Sequence, residues 1–524
     1  MSTATKSVRS PAMILAVLCV CVVVINMDTM IVTVALPELV DQLHASTVDL
    51  QWVSDAFNLV FAALVIAAGS LSDRFGRRGA LIFGLAVFTV ASGLGAYAST
   101  AGELIAARAV MGLGAAFIYP TTLSILTTVF VERKARAAAI GIWGACSGIG
   151  MVLGPLAGGA LLQSFWWGSI FLVMAPIGLV ALALTAAFVP TSRDPETPAL
   201  DKSGLILSCL AFGILVYTII EAPASGWDSA RVIAGFVVAV VLFASLYVRE
   251  IKARSPMLDV RLFRDARFSA ACGAMTIATF TLMGLTFLLT LYLQFLKLYS
   301  PLETGLRFIP VAVGMVIGSI LGGKLAVQWG SRIVITAGLG VLTVLFVWFT
   351  GESNDTGSAV LALQMTLIGV GLGTVGVPAT DAIMRVVPAA KASVGSAMND
   401  ATRLLGGTLG IAIVGSLFQS LYTHHLIGSA VPGLPPESLT QAQDSIGNAI
   451  TQAAQYTAEG QPALAERLIG AAQSSFYDGF HTACWTLAGL AAVMVVVAWF
   501  WLPAEKPEQV TAAAPESEPS DAEA

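Results

Sequence analysis

Apolar residues in this chain run in long unbroken stretches, and polar residues gather between the stretches instead of alternating with them. A run of about 20 apolar residues is the length of a helix that crosses the hydrocarbon of a bilayer. Such runs lie near residues 13–36, 50–70, 80–98, 103–129, 137–161, 168–190, 203–221, 231–250, 268–296, 303–328, 332–350, 358–386, 393–421 and 480–502. The pattern predicts an all-α integral membrane protein with 14 transmembrane helices.

Most connections are short. The stretch from about 250 to 267 is basic, and the one from 422 to 479 is long and polar. Within the second, Leu439, Ala442, Ile446, Ala449, Ile450 and Ala453 recur at helical spacing, followed by Leu464, Leu468 and Ala472. This predicts an external amphipathic hairpin over the mouth, either gating it or only packing on its neighbours.

One turn is repeated. Gly69-Ser-Leu-Ser-Asp73-Arg74-Phe-Gly76-Arg77-Arg78 joins spans 2 and 3, and Gly323-Lys-Leu-Ala-Val327-Gln-Trp-Gly330-Ser-Arg332 joins spans 10 and 11. Internal duplication of a six-helix unit accounts for this. It divides the chain into an N-terminal bundle (13–190), two inserted helices (203–250) and a C-terminal bundle (268–502) with the external loop 422–479.

Composition narrows the solvent. Of 524 residues, 56% are hydrophobic and 11% charged, with mean hydropathy +0.83. Soluble domains carry about 25% charged residues, so lipid is the environment this chain fits. With residues 1–12 placed in the cytoplasm, 21 of the 27 Lys and Arg fall on the cytoplasmic side. That bias sets the orientation, with both termini inside. The segment 503–524 is rich in Ala, Pro and Glu and reads as a disordered acidic tail. Cys19, Cys21, Cys146, Cys209, Cys272 and Cys484 all fall in apolar runs, and none has metal spacing with histidine.

Charge inside a span is where chemistry is expected. Asp28 lies in span 1, nearer its outer end, and Arg108 lies at similar depth in span 4. A carboxylate in hydrocarbon has to face a cavity or a partner. It can exchange a proton for a cation there, or serve as a structural ion pair. Arg108, always protonated, can tune it directly or through water, or can hold span 4 through backbone carbonyls. Asp381 and Asp400 are further proton candidates, and Asp400 with Arg403, at i and i+3, forms a structural pair. Gly69, Asp73, Arg74, Gly76 and Arg77 form a conformational latch in which Asp73 can cap a helix. Gly150, Gly154, Pro155, Gly158 and Gly159 give span 5 a small-residue face for close packing and a bend. Asn26, Asp28, Asn58, Tyr119, Trp143, Phe287, Tyr292 and Gln294 are the expected lining of an apolar cavity with few polar anchors.

Taken together these motifs resemble the major facilitator superfamily, in its 14-span drug:proton antiporter branch of the quaternary-ammonium and multidrug efflux type. Gly69 to Arg78 resembles the signature between helices 2 and 3. Leu104-x3-Arg108-x3-Gly112-x-Gly114 resembles the helix 4 signature, and Gly150-x3-Gly154-Pro155-x2-Gly158-Gly159 the one associated with antiporters. Asp28-Thr-x5-Ala35-Leu36-Pro37 is similar to the span 1 signature of the 14-span branch. The second half matches through the degenerate repeat and Arg403-x2-Gly406-Gly407. Two features depart from relatives. Phe165-Trp166-Trp167-Gly168 stands where many have Trp-Arg-Trp, and span 10 has no acidic residue. The resemblance implies a monomer in the inner membrane that exports lipophilic, often cationic drugs by alternating access. It needs no cofactor, being driven by protons.

Other classes fit less well. Gly318-x4-Gly323-Lys324 is followed by Leu325, so no phosphate loop forms. His44, His424, His425 and His481 make no metal motif, no enzyme or nucleic-acid site is expected, and a sensor would need a soluble signalling domain. The alternative cargo is an endogenous lipid or secondary metabolite.

Overall fold

A computed structural model of the chain describes residues 10–193, 201–253, 260–353, 355–386, 392–429 and 431–502. Lys6, Arg9, Lys391 and the acidic tail 503–524 lie outside the described residues. In hydrocarbon a peptide group finds no water, so each crossing closes its own backbone bonds as helix. Accordingly, among the described residues 14 helices are long and apolar enough to cross a membrane.

The first bundle holds α1 (Pro11–Leu43), α2 (Thr47–Phe75), α3 (Arg77–Gly95), α4 (Ala101–Val129) and α5 (Arg133–Leu162), with a sixth crossing split into α6 (Ser169–Leu172) and α7 (Met174–Phe188). The inserted pair is α8 (Lys202–Ser225) and α9 (Ala230–Lys252). The second bundle begins with α10 (Ala266–Leu291), which runs into a π-helical turn at Tyr292–Leu296. It continues with α11 (Pro301–Trp329), α12 (Ser331–Phe349), α13 (Ser358–Val386) and α14 (Ala392–Gly428). Short helices α15 (Pro436–Asp444) and α16 (Ile446–Ala458) follow, and α17 (Pro462–Trp501) ends the described chain. An even number of crossings puts Ser10 and Leu502 at the same end of the bundles, here the near end; the α1–α2 turn marks the far end.

The two bundles repeat one packing scheme. α1 lies on α5 as α10 lies on α14, α2 on α4 as α11 on α13, and α3 on α4 as α12 on α13. Glycines set these approaches, since without a Cβ two backbones can touch. A Cβ on Gly84 would stand 2.8 Å from the Gly114 carbonyl, and one on Gly338 would stand 3.0 Å from that of Gly371. Gly150 and Gly154 seat α5 on α1, as Gly406 and Gly410 seat α14 on α10. The repeated turns also agree: Gly76 (φ +123°) and Gly330 (φ +85°) both take backbone angles that L side chains avoid.

Helix α8 is no bystander between bundles. It packs on α2 of the first and α14 of the second. Val216, Ile219 and Ile220 meet Trp52, Leu59, Leu409 and Ala412, and Ser416 donates to the Ile219 carbonyl at 2.8 Å.

The long polar connection departs from expectation. Helix α14 runs on to Gly428 and α17 starts at Pro462, so only 429–461 lies between them. Leu464, Leu468 and Ala472 therefore belong to the long terminal helix, and α15 and α16 alone make the hairpin. The extension arises because α17 goes on burying Ala465, Leu468 and Ala472 against α16 beyond the apolar run. The hairpin clips both bundles. Thr47 of α2 donates to the Asp444 carbonyl at 2.9 Å, Gln419 of α14 to that of Gln443 at 2.7 Å, and Tyr422 to that of Ala442 at 3.0 Å. Gly447 sits under Val40 of α1 and Phe295.

Close glycine contacts give a testable contrast. A Cβ on Gly314 would fall on the Thr366 carbonyl, whereas one on Gly340 meets nothing within 4 Å. Overpacking costs about 1–3 kcal/mol or more. Gly314→Leu should therefore lower the thermal unfolding midpoint in detergent, and Gly340→Leu should leave it unchanged.

Candidate functional site

The chemistry gathers where α1, α2 and α4 meet. The α5 glycines hold α1 around Asp28: an added Cβ on Gly154 would stand 2.7 Å from the Met27 carbonyl and 2.7 Å from the Met30 Cβ. Gly112 brings α4 against the Phe57 backbone of α2. This fixes Asp28 and Arg108 opposite each other, and the guanidinium bonds the Asp28 Oδ2 directly at 2.6 Å. Arg108 Nε also donates to the Val53 carbonyl at 3.0 Å, and the guanidinium lies 4.5 Å from the centre of the Phe57 ring. Both side chains are sealed, with Asp28 0% and Arg108 1% exposed. The second carboxylate oxygen, Asp28 Oδ1, has no hydrogen-bond partner. Arg108 thus answers one oxygen and not the other.

A second carboxylate escaped the sequence reading. Asp55 of α2 is 0% exposed, and both its oxygens lack a hydrogen-bond partner among the described residues. Its neighbours on the helix fix where it points. Gln51 reaches the α14 carbonyls of Ile411 and Ala412 at 3.4 Å, and Trp52 reaches Glu221 of α8 at 3.4 Å. Asp55 lies between those directions, on the seam that α8 covers. The signal was present in the sequence. Gln51, Ser54, Asp55 and Asn58 stand at i, i+3, i+4 and i+7, a polar stripe on an otherwise apolar helix.

The expected cavity residues separate. Asn58 and Phe287 line a small internal cavity of ≈ 10 Å³ with Thr29, Thr33, Ser54 and Met283, between the bundles; it is about the size of one water. Tyr119 and Trp143 form a ladder with Phe61, at ring centroid distances of 5.2 and 5.8 Å, and Trp143 donates to Thr122. Gln294 crosses between bundles, donating to the Val34 carbonyl at 2.8 Å. Asn26 spends its amide on the Val22 carbonyl, within its own helix.

Tyr292 is not in the cavity. The π-helical turn rotates it into a buried cluster at the far end. There it donates to the Ser353 carbonyl at 2.9 Å and lies 3.4 Å from Glu352, itself bonded to Gln364 at 2.6 Å. Asp400 and Arg403, three residues apart on one helix face, stand within electrostatic reach of each other but form no salt bridge within 4 Å among the described residues; Asp400 is half-buried and Arg403 exposed. Both stand within electrostatic reach of Tyr119 across the interface. Asp381 is exposed toward the near end of α13.

In the latch, Asp73 does not cap a helix. It receives Arg77 Nε at 2.6 Å and Ser124 Oγ at 2.7 Å, while Arg77 also bonds Thr128. Gly69 packs on Pro120, and Arg74 lies over Phe75. All these contacts stay within the first bundle. The span 5 face works at the other end: Gly159 abuts Pro301 and Leu302, and the Pro155 carbonyl abuts Gly305. The far end is shut.

Residues 18–411 match the family model described as Major Facilitator Superfamily. The chain is 34% identical over 484 residues to "Multidrug efflux pump LfrA" of Mycolicibacterium smegmatis, covering 92% of this chain and 94% of that protein. It is 30% identical to the "Tetracenomycin C resistance and export protein" of Streptomyces glaucescens, covering 93% and 91%. Its fold matches the crystal structure of a bacterial homologue of the human lysosomal transporter Spinster, with TM-score 0.63, 17% identity and coverage of 96% and 100%.

Removing one member of a buried ion pair strands the other and costs about 3–5 kcal/mol. Arg108→Met should therefore destabilise the protein strongly, and Arg108→Met with Asp28→Asn should recover most of the loss. Thermal unfolding across the double-mutant cycle measures this; additive losses would mean the two groups are not coupled.

Proposed function

The chain belongs to the Major Facilitator Superfamily, and from that premise we propose that it is a proton-coupled antiporter exporting lipophilic, often cationic drugs. The observation that carries the reading is the half-answered carboxylate: Asp28 is fully buried, with one oxygen on Arg108 and the other without a partner. Protonated, Asp28 leaves Arg108 as the one charge of the site. Ionised, it pairs with Arg108 through one oxygen and offers the other to a cation. Proton and cationic drug therefore compete for one group, which is the requirement of exchange. Asp55, fully buried and unpartnered, is the second proton carrier in this reading.

Family relatives named for multidrug efflux and for tetracenomycin C resistance and export support the cargo class. The second of these names also keeps a secondary metabolite in view as cargo. The near end is the cytoplasmic one, since 21 of the 27 Lys and Arg fall on that side. The shut far end then faces out in this reading. Drug binds from the inside, the bundles rock, and a proton taken from outside resets Asp28.

The driving force suffices. A proton entering gains about 2.3 kcal/mol per 100 mV and about 1.4 kcal/mol per pH unit. Each tenfold of drug gradient takes about 1.4 kcal/mol. For a cationic drug the electrical gain cancels in one-for-one exchange, so a second carrier such as Asp55 is needed to use the membrane potential.

Proteoliposomes with an imposed pH gradient test this. Asp28→Asn should still bind a neutral drug but lose its gradient-driven exchange, and should weaken binding of a cationic one. Asp55→Asn should keep pH-driven exchange of a neutral drug and lose the response of cationic drug export to membrane potential. Wild-type exchange by the Asp28 variant would place the proton elsewhere.

A further inference from the structure

The two seams between the bundles are built differently. One runs between α2 and α14, and the inserted helix α8 lies over it. On α2 its contacts reach from Trp52 to Ala63, whose carbonyl is 4.0 Å from Cys209 Sγ; on α14 they run from Leu409 to Ser416. The other seam runs between α5 and α11 and carries no such cover.

The α5–α11 seam is also open over half its length. Two antiparallel helices in full contact would keep one stripe of each buried throughout. Here the α5 stripe is buried at Gly159 and Pro155, intermediate at Met151, and exposed at Gly148 and Gly144. The facing α11 stripe is buried at Gly305, intermediate at Ala312, then exposed at Val316 (61%) and Ile320 (54%). A Cβ added to Gly144 or Gly148 would meet nothing within 4 Å. The helices touch at the far end and part toward the near end.

The lining of this gap has one chemistry. From Ala139 to Leu162 and from Phe308 to Gly323 neither helix carries a charged residue. A hydrated ion finds no partner there. A molecule dissolved in the hydrocarbon does, because it leaves one apolar setting for another.

We propose that lipophilic substrate enters sideways from the cytoplasmic leaflet through the α5–α11 gap, and that α8 closes the opposite seam so that this gap is the single lateral entrance. This rests on the export reading above.

Two plugs test it in proteoliposomes: Gly144→Trp on α5 and Val316→Trp on α11. Ile206→Trp on the lipid-exposed side of α8 is the control. The leaflet-dissolved cation trimethylammonium-diphenylhexatriene reports lateral entry, and ethidium added to the aqueous side reports entry from water. The plugs should slow the first probe about tenfold, as expected for overpacking a passage, and spare ethidium; the control should spare both. Unchanged transport of the first probe by the plugged variants, equal loss of both probes, or equal slowing by the α8 control would overturn the proposal. A readout without transport uses a benzophenone-bearing alkylammonium dissolved in vesicles with the wild-type protein. Photolabel is expected on α5 and α11 within 139–151 and 312–323, and label spread equally over the α2–α14 seam overturns the single-entrance claim. If the wild type moved neither probe, the export reading would fail, while the labelling would still judge the entrance.

Discussion

Hydrocarbon offers a charge nothing, so every ionised group inside the bundles has to bring its own solvent. Arg108 does this for one oxygen of Asp28 and no more. Much of the first bundle is arranged around that incomplete pairing. The α5 glycines press α1 into place on either side of Asp28, Gly112 draws α4 onto α2, and Phe57 roofs the guanidinium. A bulkier residue at any of these contacts would move the carboxylate relative to its partner. Because the pair lies in a low-dielectric interior, a small displacement there changes its energy far more than it would at a surface.

The duplicated architecture is chemically lopsided. Matching the close contacts of the repeats pairs Val23 with Thr276 and Met27 with Phe280, since Gly150 and Gly154 meet the first members as Gly406 and Gly410 meet the second. Asp28 then corresponds to Thr281, which only donates to the Ala278 carbonyl. Gly114 corresponds to Gly371, so Arg108 corresponds to Met365. In the repeated turn Asp73 corresponds to Val327, which is 66% exposed. The second bundle keeps the packing of the first and has lost its charges at each of these places. The buried ion pair and the charged turn thus belong to the first half alone, among these matched positions.

The sequence made the crossings legible because length and hydropathy report them directly. The antiporter-like glycines, the repeated turn and the Asp28–Arg108 depth match could be read for the same reason: each is a pattern along the chain. Rotation about a helix axis could not be read so easily. A helix that is apolar all round gives no stripe to orient it, so Tyr292 was expected in the cavity, when a π-helical turn had swung it to Glu352. Asp400 and Arg403 have the spacing of a pair and share a helix face, but no salt bridge within 4 Å joins them among the described residues. Asp55 is the opposite case. Its stripe of Gln51, Ser54 and Asn58 does orient α2, and the residue was passed over because it stands close to the start of its span.

The far-end hairpin is held by an unusual division of labour. The donors Thr47, Gln419, Tyr422 and Thr423 are all on crossing helices, and the acceptors in the hairpin are the main-chain carbonyls of Ala442, Gln443 and Asp444. A carbonyl is the same whatever side chain it carries. Side-chain changes on the exposed face of the hairpin therefore leave these bonds in place. What makes these bonds specific lies instead in the four side chains that donate, Thr47, Gln419, Tyr422 and Thr423.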